Sequence, residues 1–197
     1  MHGVYLQLRT NGGWMAWNLT LALIPWLLAV VLFPRGRRPG IGWLVGVVVC
    51  VLMLPNAAYV LTDIVHLPMM MRREPSDAVV VAGVLPMFGA LFLIGFLAYA
   101  DAIRRMARWA VERGWLRRAW PLEIGVHALS AAGIYLGRIK RFNSWDLALH
   151  PRIVMGSTLA SFTRPLPVAG MVVTFAVLVS GYFVVRPVLA LVDRQPR

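Results

Sequence analysis

Charged residues along this chain are gathered into short clusters, and the stretches between the clusters are apolar. Five such stretches stand out: Thr10 to Pro34, Pro39 to Thr62, Ala78 to Ala100, Ala119 to Gly137 interrupted by Glu123, and Pro165 to Val185. Each holds about the 20 apolar residues that a helix needs to cross about 30 Å of hydrocarbon. An open strand is excluded, because lipid leaves its backbone groups unpaired. The pattern predicts an all-α, polytopic transmembrane helix bundle of about five spans, near 14–33, 41–60, 78–100, 120–137 and 166–186. Without an internal repeat, low-complexity tract or long linker, residues 1–197 read as a single transmembrane domain. The stretch 147–163 fits a loop, a re-entrant segment or a sixth membrane segment.

Composition agrees with the pattern: 59% of the 197 residues are hydrophobic and 14% charged, against roughly half and a quarter in soluble domains. The first span reads as an anchor rather than a cleaved leader. Only Arg9 precedes it as a basic residue, its apolar stretch is long, and no small-x-small site follows before Arg35. The lone Cys50 lies in the second span and has no partner for an intrachain disulfide.

The net charge of +12 does not point to nucleic acid, because the arginines sit in short loops between spans. One side carries twelve basic residues, from Arg35 to Arg38, Arg104 to Arg118 and Arg186 to Arg197, and the other eight. The richer side is normally cytoplasmic, which predicts the N terminus outside and the C terminus inside. The segment "DAIRRMARWAVERGWLRRAW" places Ile103, Met106, Trp109 and Ala110 on one helical face. It reads as a basic interfacial helix, with anionic lipid as the partner of Arg104–Arg118, or simply as a loop obeying the positive-inside rule.

Two polar motifs interrupt the apolar pattern. In "LPNAAYVLTDIVHL", at the end of the second span, Asn56, Tyr59, Asp63 and His66 fall at about 0°, 300°, 340° and 280° on a helical wheel, within about an 80° stripe. Pro55 lacks a helical N–H and is expected to kink the span or start a new helical piece there. Ionisable groups at membrane depth normally face protein or water; the competing reading is a solvated helix end with Tyr59 in an interfacial aromatic belt.

The second motif, "GIYLGRIKRFNSWDLALHP", ends the fourth span. Two further crossings return the chain to the side of the first motif, so Asn56, Tyr59, Asp63 and His66 are expected to meet Arg138, Asn143, Ser144, Trp145 and Asp146 at one extracytoplasmic mouth. Glu123, His127, Ser130 and Arg138 share a face of the fourth span over some 22 Å, which makes Glu123 and His127 candidates for a proton path. The competing reading is hydrogen-bonded packing, with Glu123 solvated at the far end. Gly133 and Gly137 have the small-xxx-small spacing that lets another helix approach.

The chain lacks GxSxG, a Gly-rich phosphate loop, HExxH and CxxC, so acyl-transfer, nucleotide and zinc-protease chemistry has no motif to rest on. Asp63 with His66, joined by Asp146 and His150, forms an O/N donor set suited to a divalent metal such as Zn²⁺, Mn²⁺ or Fe²⁺. The sequence leaves the spacing between the two pairs unconstrained.

With "WNLTLALIPWLLA", "LPNAAYVLTDIVHL" and "GIYLGRIKRFNSWD", the sequence resembles the bacterial membrane-protein family catalogued as domain of unknown function 1361. The resemblance covers nearly the whole chain. Ala58 stands where a second proline is expected and Phe142 where a tryptophan is, and neither change removes a polar group. The resemblance implies a small multi-pass protein of the bacterial inner membrane and carries no known activity.

Three functions remain open at this stage. The first is binding or transport of a small ion or polar headgroup at the outer mouth. The second is an assembly subunit of a membrane complex, whose mouth only ties its own loops together. The third is a metal-dependent hydrolase of lipid or envelope substrates, which suffers because no nucleophile with an adjacent base can be named.

Overall fold

A computed structural model describes residues 2–36, 38–73, 76–142 and 146–192. All regular elements among them are helical. In chain order they are α1 (His2–Leu32), α2 (Ile41–Tyr59), a 3₁₀ segment Val60–His66, α3 (Leu67–Arg73), α4 (Asp77–Val79), a π-helical turn Val80–Val84, α5 (Leu85–Glu112), α6 (Trp120–Arg138), α7 (Asp146–Leu149), α8 (Pro151–Phe162) and α9 (Pro165–Val192).

The long helices alternate in direction, and specific contacts fix their registers. Trp43 donates from Nε1 to the Leu32 carbonyl (2.8 Å) and Cys50 from Sγ to the Pro25 carbonyl (3.4 Å), so α1 and α2 run antiparallel. Rings of Trp14 and Phe88 meet at 6.2 Å and those of Phe33 and Trp109 at 5.7 Å, so α5 runs parallel to α1. At its start α6 lies beside α9, where Tyr182 donates to Glu123 Oε1 at 2.7 Å; at its end Arg138 reaches Asp63 beyond α2. The polypeptide therefore crosses the bundle five times in α1, α2, α5, α6 and α9.

Four helical stretches among the described residues are long and apolar enough to cross a membrane: Gly13–Leu32, Ile41–Arg72, Asp77–Glu112 and Pro165–Leu191. The fifth expected span forms a helix, α6, that is not among the four. It carries Glu123, His127 and Ser130 buried against α5 and α9, and a helix with polar groups turned into the bundle needs less apolar surface than one facing lipid. The short helix α8, of 12 residues, is about 18 Å long, too short to cross; it packs on α9.

Two sequence expectations are corrected here. The arginine-rich segment is not a separate interfacial helix: to Glu112 it continues α5. Its apolar face is turned into the protein, with Ile103, Met106, Trp109 and Ala110 all buried, because the ends of α1 and α2 supply Phe33 and Trp43 as partners. The break foreseen at Pro55 comes later. Helix α2 continues through Pro55 and tightens into the 3₁₀ form only from Val60.

Candidate functional site

Close packing of α2 on α6 brings the two polar motifs together. A Cβ on Gly133 would lie 2.7 Å from the Pro55 ring, and one on Gly137 would overlap the Tyr59 hydroxyl. Only glycine leaves room at these two positions, as the small-xxx-small spacing implied. The Tyr59 hydroxyl donates toward the carbonyls of Ile134 and Gly133, at 3.4 and 3.5 Å. The register so fixed sets Arg138, at the end of α6, against the 3₁₀ segment.

That segment is shaped by its own side chains. Thr62 donates from Oγ1 to the Tyr59 carbonyl (2.7 Å) and His66 from Nδ1 to the Asp63 carbonyl (3.3 Å). Both bonds span three residues, the period of a 3₁₀ turn, in which side chains at i and i+3 eclipse. Asp63 and His66 thus share one edge. His66 is turned against the Trp14 ring (centroids 5.4 Å apart).

Asp63 is the anchor, at 4% exposure. Its Oδ1 accepts from Arg138 at 2.7 Å and its Oδ2 from the Asn18 amide at 3.0 Å. Arg138 Nε donates to Thr62 Oγ1 at 3.0 Å, and its guanidinium lies 5.8 Å from the centroid of the Tyr59 ring. Three crossings, α1, α2 with its 3₁₀ extension, and α6, meet at this ion pair. A buried carboxylate is tolerated when paired and hydrogen-bonded in this way.

A cavity of about 120 Å³ opens beside the pair, lined by Asn18, Leu21, Asn56, Tyr59, Asp63 and Arg138. Its hydrogen-bonding capacity is only partly used. Among the described residues Asn56 has no side-chain hydrogen bond, Asn18 spends its amide N–H on Asp63 and keeps its carbonyl oxygen, and Arg138 Nη1 has no acceptor. Leu21 adds a further acceptor, since Pro25, four residues on, has no N–H to offer its carbonyl. The site can therefore give and take hydrogen bonds around a charge pair that sums to zero.

Nucleophilic chemistry finds less support. The Thr62 hydroxyl donates to a backbone carbonyl and accepts from Arg138, and the nearest carboxylate has both oxygens engaged. Among the described residues no base faces that hydroxyl.

Of the residues singled out from sequence, Asn56, Tyr59, Asp63 and Arg138 converge on this cavity, and His66 stands beside it. Asn143, Ser144 and Trp145 lie outside the described residues. Asp146 opens α7, which packs on α8, and His150 is exposed just before α8. The metal set Asp63, His66, Asp146 and His150 is not assembled: among the described residues no three His, Cys, Asp or Glu side chains come close enough to hold an ion. The physical reason is that Asp63 turns to Asn18 and Arg138, while Asp146 opens α7 and His150 stands exposed between α7 and α8.

Two contributors escaped the sequence reading of the site. Asn18 and Thr62 complete the shell of the ion pair. An isolated Asn inside an apolar span is the signal that marks Asn18, because an unpaired amide in hydrocarbon is costly.

Deeper in the bundle, Glu123 is buried at 4% exposure, which overturns its reading as a solvated helix end. Tyr182 donates to it at 2.7 Å and Arg186 lies 3.5 Å away, both from α9. His127, at 1% exposure, shares a 2.9 Å hydrogen bond between its Nδ1 and the Tyr99 hydroxyl of α5. Its ring packs 4.9 Å from that of Tyr182. Sequence reading also passed over Asp101, which is buried and bound by Trp26 Nε1 (3.0 Å), Arg104 (3.0 Å) and Arg105 (2.6 Å).

The family described as Protein of unknown function (DUF1361) matches residues 17–180, a stretch that contains every member of the cavity. The chain belongs to this family. No curated protein and no solved structure matches it. The family thus supplies membership alone, while the helical architecture and the chemistry rest on the geometry above.

Proposed function

We propose that the mouth formed by Asn18, Asn56, Tyr59, Asp63 and Arg138 is a binding site for a small polar headgroup or ion, and that it faces the extracytoplasmic side of a bacterial inner membrane. The arginine count between loops supports that orientation. The observation that carries the binding reading is the unspent hydrogen-bonding capacity around a buried, charge-neutral pair beside a cavity. A network built only for stability closes on itself, because each unsatisfied group weakens it. Asp63 holds Arg138 in place, Thr62 sets the plane of the guanidinium, and Asn56 is free to turn toward a ligand. A phosphate or carboxylate would meet Arg138 Nη1 and the Asn56 amide, and hydroxyl groups would meet the carbonyl oxygens of Asn18 and Leu21.

A second reading has an observation of its own. The same ion pair ties three crossings together, as an assembly subunit with no ligand would require. Native mass spectrometry of the protein extracted from its own membrane separates the two. Binding requires a small molecule or lipid that is retained by the parent protein and lost in Asn56→Leu. An identical spectrum for both proteins would leave the fastening role alone.

A further inference from the structure

At the end of the bundle opposite the mouth, the acids are consumed internally. Asp101 is bound by Arg104 and Arg105, Glu112 lies 3.7 Å from Arg35 and 3.8 Å from Arg108, and Glu123 lies 3.5 Å from Arg186. Positive charge is left over. Arg117 and Arg118 are exposed in the connection between α5 and α6 with no ion pair among the described residues, and so is Arg38 in the neighbouring connection between α1 and α2. Arg35, in the α1–α2 connection, lies 3.7 Å from Glu112 at the end of α5, and Trp115 of the α5–α6 connection meets Trp43 near the start of α2.

The α5–α6 connection is a built surface. Helix α5 ends in a Schellman motif: Gly114, at φ 71°, donates to the Val111 carbonyl (2.9 Å), and Trp115 N donates to the Ala110 carbonyl (3.0 Å). The hydrophobic contact that accompanies such a cap is present, with Trp115 edge-on to Trp109 at 5.0 Å and to Trp43 at 5.8 Å. Arg113 is turned over the Trp109 ring at 5.6 Å. Despite this foundation Trp115 is 58% exposed and Trp120 56%. Two tryptophans therefore bracket Arg117 and Arg118 on a fixed turn between two crossing helices, the level at which headgroups meet such rings.

We propose that this turn binds the headgroup of an anionic phospholipid, with Arg117 and Arg118 contacting the phosphate and Trp115 and Trp120 seated at the boundary of headgroup and acyl chain. Arg104 and Arg105 take no part, since Asp101 occupies them; the lipid surface is narrower than the whole arginine-rich segment. The inference is independent of the mouth's ligand.

The test is thermal unfolding of the purified full-length protein in mild detergent, titrated with phosphatidylglycerol, phosphatidylcholine or soluble glycerol phosphate at low and high salt. Phosphatidylglycerol is expected to stabilise the protein more than phosphatidylcholine, with an advantage that shrinks in high salt. Apparent affinity is expected to fall about fivefold for each arginine removed in Arg117→Gln/Arg118→Gln, while Arg152→Gln/Arg164→Gln at the other end keeps the parent response. Trp115→Ala gives a second readout, a weaker response to phosphatidylglycerol with both arginines in place. An Arg117→Gln/Arg118→Gln protein that responds like the parent would overturn the proposal, and so would soluble glycerol phosphate acting as well as the lipid.

Discussion

The mouth and the opposite end of the bundle both bury a carboxylate against arginine, yet they differ in what is left over. At the mouth, Asp63 and Arg138 stand beside a cavity whose lining retains free donors and acceptors. At the opposite end, Asp101 is closed off by Trp26, Arg104 and Arg105, and Glu123 by Tyr182 and Arg186. Burial of charge alone therefore does not mark a site. A buried pair beside open space whose lining keeps free donors and acceptors points to recognition, and one closed over by its neighbours points to fastening.

The largest contrast between the ends is expected in stability. Asp63→Ala leaves the Arg138 guanidinium, only 34% exposed, without its counter-ion, and should lower unfolding free energy by about 3 kcal/mol, toward the lower end for breaking a buried pair. Glu123→Ala should cost about 1 to 2 kcal/mol, chiefly for the stranded Tyr182 hydroxyl, because Arg186 is exposed enough to reach water. Unfolding in graded sodium dodecyl sulfate against mild detergent measures both. Equal losses would erase the distinction between the ends.

Glycines of α6 offer the next contrast. Gly137→Ala drives a methyl into the Tyr59 hydroxyl and should destabilise by about 1 to 3 kcal/mol through overpacking. Gly125→Ala, with nothing within 4 Å of the added carbon, should be neutral or stabilising by up to about 1 kcal/mol. Melting temperatures of the two variants check the sign of the difference.

The smallest stability changes are expected at the residues that separate function from packing. Asn56→Leu should shift unfolding by no more than about 0.5 kcal/mol, the range for positions that make no named interaction, while abolishing retention of the ligand. His127→Leu should cost about 1 kcal/mol, because the loss of the bond to the buried Tyr99 hydroxyl is offset in part by removal of a buried Nε2 that has no hydrogen-bond partner among the described residues. A proton path through His127 would instead show itself as lost function at unchanged stability.

The crossings were legible in the sequence because four of the stretches carry no charge and the other carries Glu123 alone, and the meeting of the two motifs followed from parity: two crossings separate them. The rest depended on partners distant in the chain. Glu123 looks like a solvated first-turn acid until Tyr182, 59 residues on, is folded against it. The apolar face of Ile103, Met106 and Trp109 has a period that fits lipid and protein equally well; Phe33 and Trp43 decide for protein. Asn18 is the one amide in the apolar stretch Gly13–Leu32, and the hydroxyl of Thr20, two residues on, is spent on the Ala16 carbonyl and does not share its face. The metal grouping failed because no sequence rule fixes the distance between Asp63 and Asp146.

The central claim, that the two motifs form one coupled site through Asp63 and Arg138, is tested most directly by a double-mutant cycle of Asp63→Asn and Arg138→Gln, read by equilibrium unfolding. Each single variant strands the partner's charge, whereas the double variant leaves a neutral pair able to hydrogen-bond. The double variant is expected to recover about 1 to 3 kcal/mol relative to the sum of the singles. Strict additivity, with the double variant losing the full sum, would contradict a coupled site and leave the two motifs as neighbours without a shared function.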